Sequence, residues 1–342
     1  MHDGDRDLAS RTTLRLGGPA DRLVTATVTD EIPQMVREFD PLLVLAGGSN
    51  VVIGDEGCPG TVLLLRTNGV RVERDGAAVT VTVAAGVRWD DVVARTVAEG
   101  WSGVECLSGI PGSTGATPIQ NVGAYGQEVA ETIASVQVYD RHRDEVMTMS
   151  PADCGFGYRT SVFKHAERWI VLAVSLRLTQ DDRSSAIRYP ELARALGVAV
   201  GARAPLDEVR AAVLTLRAGK GMVLDTDDRD TYSVGSFFVN PVLPAVEFED
   251  LHRLAPDAPA WPGNADGTVK TSAAWLIEHA GFPKGYGHGS VAISTKHTLA
   301  LTNRGNGSTA ALLDLAREIR AGVAARFGVT LTPEPVLINC AL

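Results

Sequence analysis

Residues 107–126 read LSGIPGSTGATPIQNVGAYG, a run with glycine at 109, 112, 115, 123 and 126 and little charge. No periodic apolar face runs through it, yet Ile110, Ile119, Val122 and Tyr125 argue against disorder. Glycines let main-chain amides turn toward a ligand and let the ligand come close, so phosphates can be cradled without a cationic side chain. A second stretch of the same kind, Ala46-Gly47-Gly48-Ser49-Asn50, follows the apolar segment Leu42–Leu45. Either stretch alone reads equally well as a long surface loop, but such loops are uncommon unless functional or disordered. Two cradles in one chain suggest one diphosphate.

The spacing sets the common nucleotide folds aside. Gly109, Gly112 and Gly115 recur every third residue rather than as GxGxxG, and Gly219-Lys220 is followed by Gly221 where a P-loop needs Ser or Thr. A chain of 342 residues, 45% hydrophobic and 21% charged, has room for two domains. Its net charge of −9, with no concentration of Arg and Lys, excludes a nucleic-acid partner. Cys58, Cys106, Cys154 and Cys340 are far apart and form no CxxC, and the seven histidines form no HxxxH, so no metal is expected. The opening MHDGDRDLAS is charged, and no run approaches a membrane span. The expectation is a cytoplasmic protein.

Local pattern gives an α+β reading. A short helix with Ile32, Met35, Val36 and Phe39 is expected after Asp30 as cap, stopped by Pro41, and strands at Leu42–Leu45 and 62–65 follow. Alternation at Val79, Val81 and Val83 marks a half-buried strand, and Trp89, Val92, Val93 and Val97 mark an amphipathic helix closed at Gly100. Strands are expected at 136–139, 146–149 and 170–178, and a helix from Pro205 carries Leu206, Val209, Val213 and Leu216 on one face. The small-residue stretch 199–204 reads as a domain boundary. Beyond it come a helix at 272–279, strands at 291–294 and 299–302, a helix Thr309–Phe327 ended by Gly328, and a last strand Val336–Ile338 that could return to either domain.

Four places carry possible chemistry. In GYRTSVFK, 157–164, Arg159 reads either as a cationic turn stacked on Tyr158 or as a planar fork for a carboxylate. Lys220 reads as a helix-end cation or a ligand group. In TYSVGSFFVNP, 231–241, Ser236 stands among apolar rings and could donate a proton, while no G-x-S-x-G elbow supports a Ser-His-Asp hydrolase. Glu334 sits between Pro333 and Pro335, a solvated turn if taken by itself.

Taken together, LAGGSN, LSGIPGSTGATPIQNVGAYG, GYRTSVFK, LRAGKG, SVGSFFVNP, KTSAAWLIEHAG and PEPV occur in order along nearly the whole chain. This set resembles the UDP-N-acetylenolpyruvoylglucosamine reductase family of peptidoglycan precursor synthesis. The resemblance implies an α+β protein: a two-lobed FAD-binding region of the vanillyl-alcohol-oxidase type over 1–200, a smaller substrate-binding domain over 205–330, and a C-terminal strand segment, 331–342, carrying Glu334. It implies noncovalent FAD held by 46–50 and by Ser108, Gly109, Pro111, Gly112, Ser113, Gly115 and Ala116, continuing through Gln120, Asn121, Gly123 and Ala124. NADPH would be the co-substrate and an enolpyruvyl UDP-sugar the substrate, in a monomer. Ser236 would be the proton donor, with Arg159 and Glu334 polarising the substrate. Tyr125, Tyr189, Lys220 and Asn240 would hold the substrate, Tyr189 from a loop at 188–190. The chain departs from the family pattern at Val239, often lysine, and at Pro335, usually valine. Alternatives are a sugar or alcohol oxidase of the same flavin fold, or a non-catalytic nucleotide-binding relative.

Overall fold

The computed structural model describes residues 6–39, 42–263 and 265–342, so Pro41 and the first residues of the N-terminal segment lie outside the described residues. Contacts divide the chain into two units, one of Met1–Ala20, Gly48–Cys58 and Leu224–Leu342, the other of Asp21–Gly47 and Pro59–Val223.

The unit that contains the glycine-rich run is built on an antiparallel sheet ordered Glu145–Met149, Ile133–Asp140, Trp169–Gln180, Ala78–Ala84 and Val70–Asp75, with Trp101–Ser102 beside Trp169–Gln180. Alternation fixes which face is buried. Val79, Val81 and Val83 pair in register with Leu178, Leu176 and Val174, so all six side chains share the apolar side and are buried. Helix Trp89–Ala98 adds Trp89, Val92 and Val93 to the same core. A second sheet sets Cys58–Leu65 between Ala20–Ala26 and Leu42–Leu45, the latter pairing parallel.

Two local expectations change in this unit. Asp30 makes no side-chain cap, because a 3-10 turn, Thr29–Glu31, leads directly into helix Ile32–Glu38. The segment expected as a loop around Tyr189 becomes helix Pro190–Leu196: Pro190 takes the first helical position, Glu191 the first turn, and Gly197 closes the end at φ 67. That helix packs on Leu206–Gly219 through Leu192, Ala193, Val209 and Val213, with Ile187 and Ala204. The stretch 199–204 is therefore interior to this unit rather than a seam, and the contact boundary falls between Val223 and Leu224.

The other unit centres on helix Thr309–Phe327, which buries Leu312, Leu315, Ile319 and Val323. Its start is doubly capped, since Ser308 Oγ accepts from the Ala311 amide at 3.1 Å and the Asp55 carboxylate accepts from the Thr309 and Ala310 amides at 2.7 and 2.8 Å. Gly328 closes it in the left-handed region at φ 70. Strands Gly287–His288, Val291–Ile293 and Leu301–Asn303 form one small sheet, and Val242–Pro244, Thr268–Lys270 and Trp261–Pro262 another, joined by helix Ala245–Leu254, which the sequence pattern did not flag. The last strand, Val336–Ile338, pairs parallel with Val51–Ile53. Leu14, Leu16 and Val52 belong to this unit's core, so its first pieces come from far upstream.

Candidate active site

The glycine-rich run is welded to the end of strand Ala78–Ala84. Gly115 N donates to Ala85 O at 2.9 Å, Thr114 N to Val87 O at 2.8 Å and Trp89 N to Gly112 O at 3.0 Å. A Cβ on Gly115 would lie 2.5 Å from that of Ala85, so only glycine fits there. The first loop reaches the second at Gly47, where a Cβ would lie 2.5 Å from Gly112 Cα. The two backbones thus meet without side chains between them. In the other unit, Gly48 turns at φ 59 and its carbonyl accepts from the Thr13 amide at 3.1 Å, while Asn50 O accepts from Val336 N at 3.0 Å.

Further along the run, several side chains serve the loop itself. Ser108 Oγ donates to Glu105 O at 2.7 Å. Asn121 Nδ2 donates to Glu128 Oε2 at 2.7 Å and to Gly157 O at 3.1 Å, while its Oδ1 accepts from Ala130 N at 3.1 Å. Asp90 anchors the start: it accepts from Gly109 N at 2.6 Å and from both arms of Arg210 at 2.7 and 2.8 Å. Burial opposes ionisation of Asp90, but the Arg210 and Gly109 hydrogen bonds and the Arg210 charge outweigh it and hold the carboxyl below its usual range. Glu105, fully buried, accepts from Gly103 N, Gln127 Nε2 and Ser185 N at 2.7, 3.0 and 2.9 Å.

One residue here was not singled out from sequence. Arg217, on helix Leu206–Gly219, is 9% exposed; its Nη2 donates to Met222 O at 3.0 Å, and its Nε has no partner. Burial lowers its pKa to about 10, which leaves it charged at neutral pH. A Cβ on Gly109 would lie 3.5 Å from that Nε. A buried unsatisfied donor is costly unless a ligand completes it, and an anionic or carbonyl-rich ring edge would do so. The sequence signal was present: Arg217 stands four residues after Val213, on the apolar face of its helix.

Arg159, Asn121 and Tyr125 all adopt left-handed backbone, at φ 54, 45 and 49. Non-glycine residues held there store strain, and such strain concentrates at functional sites. Arg159 Nη2 donates to Gly123 O at 2.7 Å, its guanidinium lies 5.5 Å from the Tyr158 ring, and Lys164 Nζ donates to its carbonyl at 2.9 Å. The stacked cationic turn is what the structure shows of this arginine. Tyr125 meets Tyr189 edge-on at 5.5 Å, and burial pushes its hydroxyl up to about 12.

In the other unit, Gly235 turns at φ 75 just before Ser236, which is half-buried. Phe237 N donates to Leu299 O at 2.7 Å, Glu334 N to Phe237 O at 2.9 Å, and Val239 N to Thr332 O at 3.1 Å. Ser236 and Glu334 therefore lie on directly hydrogen-bonded neighbouring segments, with Phe237 and Phe238 buried beside them. Asn240 Oδ1 accepts from Ala273 N at 3.0 Å and so fixes the start of helix Ala273–His279. Arg159 belongs to the unit of the glycine-rich run. Among the described residues no His, Cys, Asp or Glu group is arranged to hold a metal, and no helix is long and apolar enough to cross a membrane.

The orphaned donor of Arg217 and the bare approach of Gly47 to Gly112 both fit a ligand with a polar ring edge and a diphosphate. Residues 20–150 match the FAD binding domain family, and residues 227–338 match the C-terminal domain of UDP-N-acetylenolpyruvoylglucosamine reductase. The two matches define an FAD-dependent oxidoreductase with a second, C-terminal domain. The chain is 62% identical to the UDP-N-acetylenolpyruvoylglucosamine reductase of Salinispora arenicola, over 99% of this chain and 96% of that protein. It is 57% identical to that of Thermobifida fusca, covering 98% and 97%. The crystal structure of the reductase from Thermus caldophilus superposes with a TM-score of 0.67 at 25% identity over 97% of each chain. The chain belongs to the UDP-N-acetylenolpyruvoylglucosamine reductase family.

Proposed function

We propose that this protein reduces the enolpyruvyl ether of UDP-N-acetylglucosamine to UDP-N-acetylmuramate with NADPH, as a cytoplasmic monomer in peptidoglycan precursor synthesis. The observation that carries the reading is the placement of Ser236 and Glu334 on adjacent segments, joined by the bond that Glu334 N donates to Phe237 O at 2.9 Å, in a chain that also matches an FAD-binding domain. FAD, held by the loops at 46–50 and 107–126, would supply the hydride chemistry that links NADPH to the enolpyruvyl double bond.

The chain's own residues supply everything else. The loops at 46–50 and 107–126 bring backbone to the diphosphate of the cofactor, with Gly47 and Gly112 making room. Arg217 Nε supplies a charged donor beside Gly109 for the cofactor's polar edge. Arg159, whose Nη2 donates to Gly123 O, grips the substrate carboxylate, and its charge favours the electron-rich state left on the carboxylate-bearing carbon once hydride has added to the terminal alkene carbon. Ser236 then gives its hydroxyl proton to the carboxylate-bearing carbon, and Glu334, with Arg159, polarises the substrate carboxylate. Tyr189, Lys220 and Asn240 bind the uridine diphosphate part, with Tyr125 and Gln120 near substrate and flavin.

Stopped-flow absorbance tests the reading. NADPH should bleach the flavin of the purified protein, and the enolpyruvyl sugar nucleotide should restore its colour under anaerobic conditions. Recolouring only by oxygen, with a simple sugar as reductant, would instead identify an oxidase.

A further inference from the structure

Lys220 already holds an anion. Its ammonium donates to Glu191 Oε2 at 2.6 Å and lies 5.7 Å from the centroid of the Tyr125 ring. Tyr125 in turn meets Tyr189 edge-on at 5.5 Å, and Glu191 follows Tyr189 by two residues, in the first turn of helix Pro190–Leu196. Two residues assigned above to the uridine diphosphate part, Lys220 and Tyr189, therefore converge with the substrate-side Tyr125 and with a carboxylate that has no role in that assignment. The Lys220 and Glu191 side chains remain about one-third exposed, at 32% and 35%, so a solute can reach the pair.

We propose that Glu191 is the resting occupant of the diphosphate subsite, and that a nucleoside diphosphate binds by taking Lys220 away from it. One ammonium shared between a carboxylate and a diphosphate would bring the two anions face to face at a few ångströms, so their repulsion favours exchange over sharing. Binding is thus an exchange of partners rather than a simple gain of an ion pair. Glu191 can leave Lys220 by rotating its own side chain, because Pro190 fixes only the backbone before it and the carboxylate is 35% exposed. Glu191 acts here as a specificity-determining residue: only an anion that outcompetes a tethered carboxylate gains Lys220, which favours a diphosphate over a singly charged ligand.

This inference rests on the proposed function, and titration of the holoenzyme with uridine diphosphate separates the two. If the parent protein shows no saturable binding of uridine diphosphate, the assignment of the subsite fails. Given binding by the parent, Glu191→Gln should bind uridine diphosphate about 3- to 10-fold more tightly, the scale of a partly exposed ion pair plus a removed like-charge contact. In turnover, KM for the sugar nucleotide should fall while kcat does not rise. Glu191→Ala provides a second variant with no side chain left to pair. In a Lys220→Met background the gain from Glu191→Gln should shrink to less than half. Unchanged or weaker binding in both Glu191 variants would make the carboxylate a support for Lys220 and overturn the proposal. An equal gain with and without Lys220 would overturn it too, because the carboxylate would then act only through its field.

Discussion

Gly47→Ala isolates the close approach of the two flavin loops. A methyl group at this position would stand 2.5 Å from Gly112 Cα, 3.0 Å from Gly112 C and 3.3 Å from Ser113 N. Carbon atoms prefer to sit about 3.5–4.0 Å apart, so the overlap is roughly 1 Å. All three atoms are backbone, and none can rotate away. The loops must separate by about that overlap, at a cost of about 1–3 kcal/mol for an overpacked contact. Expressed wholly in cofactor affinity, this weakens FAD binding about 5- to 150-fold. Fluorescence titration of the apoprotein with FAD, with the flavin-to-protein ratio after gel filtration, measures it. Gly219→Ala is the control, because a Cβ there meets nothing within 4 Å and the site is helical. Parent-like FAD affinity in Gly47→Ala would refute the argument that the meeting of bare backbones builds the cradle.

Ser236→Ala should leave flavin bleaching by NADPH intact and slow reoxidation by substrate about 100- to 10,000-fold; stopped-flow of the two half-reactions decides, and parent-rate reoxidation would make Ser236 a packing residue. Acid precipitation should release FAD into the supernatant, because neither loop contains His or Cys, and burial, aided by the Glu105 charge, pushes the neighbouring Cys106 thiol far up. Asp140, held at about 2 chiefly by its hydrogen bonds from Arg168, has a folded-state pKa below its unfolded value. Its contribution to stability is complete above about pH 4 and lost as pH falls toward 2, so urea midpoints of the parent and Asp140→Asn should differ at pH 6 and converge toward pH 2.

Elements with a strong local period are legible in the amino-acid sequence by themselves. The stripe Leu312, Leu315, Ile319 and Val323, with Gly328 after it, marks the bounds of helix Thr309–Phe327, and the alternation at Val79, Val81 and Val83 marks a central strand. Ordered motifs make the family and its candidate residues readable. What stays hidden is non-local. No local pattern announces that Val51–Ile53 pairs with Val336–Ile338, or that Val209 and Val213 pack with Leu192 rather than with the C-terminal unit. Helix Ala245–Leu254 escapes because Leu251 is its only buried residue, which leaves little apolar face to detect. Arg217 and Glu191 are hidden for another reason: an arginine or a glutamate on a helix reads as solvated surface until its partners are placed.

The parallel pairing of Val51–Ile53 with Val336–Ile338 also sets a clock on synthesis. The first strand leaves the ribosome about 280 residues ahead of its partner, and at about 5–20 residues per second the wait is roughly 15–60 s. Throughout that time Leu14, Leu16 and Val52, which end up fully or almost fully buried, have no finished core to enter, although the sheet joining residues 70–180 can already close. The nascent chain therefore carries an apolar leading end outside its first completed layer. Such a chain invites a chaperone at its front rather than at its tail, and a ribosome that stalls late releases a half-built protein whose sticky part is the oldest.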